Sequence, residues 1–200
     1  MRFSKTEMAD VFRKLNIHFD IDAIKEAYRT AIEDIGLSGD MVNCISLTHP
    51  KDEKSDERGI FWTMNKNYEE IQVERVVNED AYRVFEPLLM NTYFKNIYDI
   101  LSEHYRLGRV RILKLDTRTS LSYHRDPEAR LHVPIITNPG ALMIVDKEAY
   151  HMKADGGVYY VDTTRYHTAL NGGSEPRIHL VATILDENKE EELYEIYGGD

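Results

Sequence analysis

A chain of 200 residues, with 42% apolar, 30% charged and 10% aromatic side chains, has the composition of a soluble globular domain rather than a disordered segment. Its one cysteine, Cys44, excludes an internal disulfide and a thiolate-built metal site, and points to a reducing compartment, the cytoplasm. The net charge of -10 sets up a field that repels nucleic-acid backbones and anionic lipids, and neither an apolar leader nor a run of about 18 apolar residues is present.

In chain order, Phe19, Ile21, Ile24, Ala27, Ala31 and Ile32 recur at helical spacing and predict a helix from Asp20 to Asp34, ending near Gly36. Val42 to Leu47 reads as a strand, followed by a polar loop, HPKDEKSDERG, with Trp62 just beyond. Residues 49 to 62 read either as a lid over an active site or as a plain surface excursion with Trp62 in the core. From Glu79 to Tyr105, Phe85, Leu88, Leu89, Tyr93, Ile97, Ile100 and Leu101 predict a long helix or a broken pair, with Pro87 limiting its first regular turn. Residues 1 to 106 are thus expected to form a mostly helical buttress with one strand.

After Gly108 the period changes to short β-rich runs, RVRILKL, TSLSYH, RLHVPIIT, ALMIV, GGVYYVD and RIHLVATIL, separated by NPG, ADGG and NGGSEP. The expected fold class is mainly β with flanking helices, its core an antiparallel barrel or jelly roll over residues 107 to 185. An acidic segment closes the chain from 186 to 200. No repeat or linker divides it, so a single domain over 1 to 200 is expected.

The chemistry is expected in the β half. His124 and Asp126 stand two apart at a strand end, where residues i and i+2 project to one face. His18 and Asp20 show the same spacing, but there Asp20 is placed to cap a helix. His167, in RYHTALN, lies at the end of another predicted strand that an antiparallel sheet can bring beside His124. Two histidines and one carboxylate are the facial triad of non-haem Fe(II) oxygenases, which leaves open positions for a chelating co-substrate and dioxygen.

In RIHLVATIL, Arg177, His179, Val181 and Thr183 share one strand face, and in RLHVPI Arg130 and His132 do the same. Such groups inside a barrel need an anion, which a dicarboxylate would supply. The other reading turns Arg177 outward, onto a surface carboxylate such as Glu175. HRD at 124 to 126 is not a kinase catalytic loop, because Leu131 stands where that pattern needs Asn.

Taken in order, HRD, RLHVPIITN, GGVYYVDTTRYHTALN and RIHLV resemble the aspartyl/asparaginyl β-hydroxylase and proline hydroxylase group of 2-oxoglutarate-dependent oxygenases, over roughly residues 107 to 185. The resemblance implies a double-stranded β-helix (jelly-roll, cupin-like) core. It further implies Fe(II) on His124, Asp126 and His167, and 2-oxoglutarate on Arg177 with Arg130 and His132 assisting. The expected activity is hydroxylation of an amino acid, free or within a peptide, with dioxygen as oxidant. A non-catalytic cupin-like module binding a metal and a small acid is the alternative.

Overall fold

The computed structural model describes residues 11–37, 43–51, 62–64, 67–72 and 78–185. In chain order the elements are β1 (Phe12–His18), α1 (Ile21–Asp34), β2 (Asn43–Ser46), β3 (Thr48–Pro50), β4 (Trp62–Met64), β5 (Glu70–Gln72), β6 (Tyr82–Phe85) and α2 (Tyr93–His104). The second half is all strand: β7 (Leu107–Leu115), β8 (Thr119–Ser120), β9 (His124–Arg125), β10 (Arg130–Ile136), β11 (Ala141–Val145), β12 (Glu148–Tyr150), β13 (Gly157–Val161), β14 (His167–Asn171) and β15 (Arg177–Ile184).

These strands build two facing antiparallel sheets, the jelly roll expected from the period change after Gly108. The larger in extent, of six longer strands, runs β1-β13-β10-β15-β7-β2; the smaller in extent, of seven short strands, runs β12-β11-β14-β9-β4-β5 with β8 against β14; and β3 pairs β6 apart from both. Period-2 alternation sorts the larger sheet's side chains. Leu131, Val133, Ile135, Val110, Ile112, Leu180 and Ala182 point to the outer face and form one core with Ile24, Ala27 and Ala31 of α1 and Phe94, Ile97 and Leu101 of α2. Each helix thus buries one apolar stripe on the sheet and leaves its charged side in water. The opposite face looks into the space between the sheets, where Val11, Leu115, Tyr159 and Val161 meet Met143, Val145 and Ala169 of the smaller sheet.

α1 begins as its sequence predicts: the Asp20 carboxylate accepts from the backbone N–H of Asp22 at 2.9 Å and of Ala23 at 3.1 Å, satisfying two amides that a helix start leaves open. His18 ends β1, exposed, so the second HxD pair is a strand end followed by a cap. Just across the chain, Gly156 has φ +89° and its Cα faces Phe19, whose carbonyl oxygen would lie 1.9 Å from an added Cβ. Only glycine fits that turn.

The first hundred residues differ from the mostly helical expectation. β1 pairs with β13 at Phe12↔Val161 and Lys14↔Tyr159, and Tyr82–Phe85, expected to be helical, is a strand held by Thr48↔Phe85 and His49↔Val84. Both pairings join residues far apart in sequence, and long-range partners override local helical spacing. Short 3-10 turns at Glu79–Ala81 and Pro87–Leu89 flank β6, so α2 starts only after Thr92. Of the candidate lid, His49 and Pro50 lie in β3, whereas residues 52–61, like the acidic segment from 186, lie outside the described residues. No helix among the described residues is long and apolar enough to cross a membrane.

Candidate metal centre

The smaller sheet brings the two histidines together by register. His124 of β9 stands directly opposite His167 of β14, and cross-strand partners project to the same face. Their ring centroids are 4.4 Å apart. His167 opens its strand instead of ending one, which leaves the histidine at the mouth of the sheet. β4 lies along the other edge of β9, with Thr63 opposite His124.

Asp126 follows β9 in a short loop pinned at both ends. Its N–H donates to Thr163 O at 2.8 Å, and Thr163, itself fully buried, donates from Oγ1 to Glu128 O at 2.6 Å. The result is a compact set: one ligand atom each from His124, Asp126 and His167, all within 4.8 Å of one another. His167 Nε2 is 3.6 Å from Asp126 Oδ2.

The donor chemistry of this set fits a divalent transition metal. The Nδ1 of His124 is 2.6 Å from Ser122 O, and that of His167 is 3.0 Å from Arg165 O. A carbonyl can only accept, so each Nδ1 carries the proton and each Nε2 keeps a lone pair for an ion. Burial pushes His167 down to about 4, against the pull of Asp126, so the ring is neutral at physiological pH, as a ligand must be. Burial also opposes ionisation of Asp126, but Arg130 and then the two histidines hold it below its ordinary value.

Arg130 is where the structure refines the expectation. Its Nε lies 2.8 Å from Asp126 Oδ2 without an aligned N–H, so the contact is an ion pair beside the metal set. Arg130 stands opposite Thr183, and Arg111, Val181, His132 and Tyr159 form the next row across the inner face.

Arg177 points inward and is buried, 4% exposed, which rejects the outward reading; Glu175 approaches Asn138 and Asn171 with its backbone carbonyl alone. Burial alone pushes Arg177 down to about 10, and its Nη2 has no hydrogen-bond partner. His132 and His179 stand edge to face at 5.7 Å, and none of their four ring nitrogens has a partner. Burial, then the charge of Arg177, drives both well below 6.5. Buried polar atoms without partners are costly, and here they belong to one cation and two imidazoles converging on a shared space. An anion with several oxygens would accept from the Arg177 guanidinium and from one N–H of each neutral imidazole.

His179 is the residue missing from the predicted set. Its signal was the period-2 face it shares with Arg177. Arg111 is a second addition, pushed down to about 9 by burial and by the charges of Arg109 and Arg130.

A jelly roll with two histidines and a carboxylate brought together on one sheet, and a buried arginine on the inner face of the other, defines a non-haem metal oxygenase-like protein. The family model of the aspartyl/asparaginyl beta-hydroxylases matches residues 48–186, and the chain belongs to that family of 2-oxoglutarate/Fe(II) oxygenase-like hydroxylases. No curated protein matches the chain in sequence. Among solved structures, an oxidoreductase of the 2OG-Fe(II) oxygenase family from Burkholderia pseudomallei superposes with a TM-score of 0.53 at 13% identity, covering 92% of each chain. The viral collagen prolyl hydroxylase of Paramecium bursaria Chlorella virus-1, in its 2OG complex, gives 0.49 at 12% identity over 86% of this chain and 94% of its own. At 13% identity the first likeness shows the fold alone.

Proposed function

We propose that this chain is an Fe(II)- and 2-oxoglutarate-dependent dioxygenase that hydroxylates an amino acid, free or within a peptide. The observation that carries the reading is the pairing of two sites: three metal donors within 4.8 Å, and a buried Arg177 whose Nη2 lacks a partner. A structural metal site has no use for the second.

In this reading His124 and His167 hold iron through Nε2 and Asp126 through its carboxylate. Arg177 takes the far carboxylate of 2-oxoglutarate in the fork geometry that guanidinium offers. His132 and His179 line the path between, presenting N–H groups to its oxygens, and Arg130 keeps the Asp126 carboxylate ionised. When bound, iron and co-substrate together supply the oxidising power that inserts one oxygen atom of dioxygen into a C–H bond, with succinate and carbon dioxide as co-products. Val145, Met143 and Val161 form part of an apolar cluster between the sheets, a dry wall for such a reaction. Neutral imidazoles, an inner face rich in arginine and a family named for aspartyl and asparaginyl substrates support an amino-acid substrate. The single buried thiol, Cys44, suits a reducing compartment, the cytoplasm.

The test is succinate release from 2-oxoglutarate by purified protein reconstituted with Fe(II) and ascorbate. A cupin-like binding module would bind both ligands and release none.

A further inference from the structure

The smaller sheet continues past the metal histidines. Its register carries one row of residues across the strands: Val145 opposite His167, His167 opposite His124, His124 opposite Thr63, and Thr63 opposite Ile71. Cross-strand partners project to one face, so Thr63 of β4 and Ile71 of β5 extend the face that carries the metal donors. The alternate residues fix the sidedness. Arg125 and Tyr166, each one position from a metal histidine, turn to the opposite face, and both hold Glu70, the neighbour of Ile71. Arg125 Nε donates to Glu70 Oε2 at 3.1 Å, and the Tyr166 hydroxyl donates to the same oxygen at 3.0 Å. Tyr166 also stacks on Tyr123, with ring centroids 5.3 Å apart. The β4–β5 pair is thus tied to the histidine strands by its ladder and, at its back, by Glu70.

On the metal side the same pair offers no polar group in need of a partner. Thr63 donates its hydroxyl to the Tyr123 carbonyl at 2.9 Å, and Ile71 is 44% exposed. Spacing decides what can rest there. Neighbouring strands lie about 4.8 Å apart, so Ile71, two strands beyond His124, stands about 10 Å from it. An extended chain advances about 3.3 to 3.6 Å per residue. A carbon held at the metal and a side chain resting on Ile71 therefore belong to residues two or three apart in one peptide, a span that a free amino acid does not cover.

We propose that Ile71 is a specificity-determining residue for a peptide substrate, taking an apolar side chain two or three positions from the residue that is oxidised. The inference rests on the hydroxylase reading above and narrows its substrate to a peptide. An apolar flank removes apolar surface on both partners from water, whereas a charged flank would lose hydration against Ile71 and find no counter-charge on it or on Thr63.

The experiment offers a random heptapeptide library and the twenty free amino acids to the full chain with Fe(II), ascorbate and 2-oxoglutarate, and locates the added oxygen by mass spectrometry. Wild-type protein is expected to yield peptides enriched in apolar residues two or three positions from the oxidised one. In Ile71→Asp such products fall about tenfold, the effect of losing roughly half of an isoleucine's burial, and basic residues take the apolar places; Ile71→Val keeps the wild-type preference. Co(II) uptake by the metal-stripped variants, read in the visible bands, stays at the wild-type level. Weaker Co(II) uptake in Ile71→Asp would make Ile71 a support of the metal site and overturn the proposal. An unchanged flank preference in Ile71→Asp overturns it as well, as does a wild-type protein indifferent to the flank. Oxidation of a free amino acid with no peptide modified overturns it while leaving the hydroxylase reading standing. A wild-type chain that releases no succinate with any of these compounds overturns that reading itself.

Discussion

Acidification from pH 7 to pH 5 is expected to remove much of the stability of the metal-free protein, because three histidines are folded into positions that refuse a proton. His167 is pushed down to about 4, and His132 and His179 well below 6.5. The unfolded chain takes up protons at these histidines below about pH 6.5, while the folded chain does so only far lower. Protons therefore bind preferentially to the unfolded state, and stability falls as pH drops through that window. At pH 5 the difference for His167 is about 2 kcal/mol, and His132 and His179 add to it in the same direction, against a total of roughly 5 to 15 kcal/mol for an ordinary domain. Urea unfolding at pH 7, 6 and 5 with chelator present measures this directly. His179→Gln should flatten the dependence by about one proton. A midpoint that does not move between pH 7 and 5 would mean that these rings are solvated or paired in the native state, and the anion-site argument would fall with it.

Bound metal is expected to need both histidines of the set: His124→Ala and His167→Ala should abolish micromolar Fe(II) or Co(II) binding, while His18→Ala, at an exposed strand end, should leave it intact. Equal loss in all three would refute the assignment. Arg177→Ala should weaken 2-oxoglutarate binding by more than about a hundredfold, from the roughly 3 to 5 kcal/mol lost when one partner of a buried charge pair is removed, with metal affinity little changed; calorimetry with 2-oxoglutarate in the presence of Mn(II) separates the two. A screen of the twenty amino acids and short peptides should find one that raises succinate release and gains the mass of one oxygen. A gain confined to a lipid or nucleobase would refute the substrate class and leave the iron and co-substrate assignments standing.

Much of the β half was legible because its physics is local. Period-2 alternation in RIHLVATIL put Arg177, His179 and Thr183 on one face whatever the partner strand, and Asp20 announced a helix start because a cap needs only the next two amides. HxD spacing was likewise enough to aim two donors the same way. The helical reading of Tyr82–Phe85 failed because its strand partner, Thr48–Pro50, lies more than thirty residues upstream, and spacing within one segment carries no trace of it. The same holds at the site. That His167 stands opposite His124 is a matter of register between β14 and β9, that Arg177 faces inward depends on which sheet face the helices cover, and Glu79 carries no motif at all. Its place beside Arg109 exists only once the turn before β6 packs under β7, because ion pairing in a dry interior depends on distance in space and not on separation along the chain.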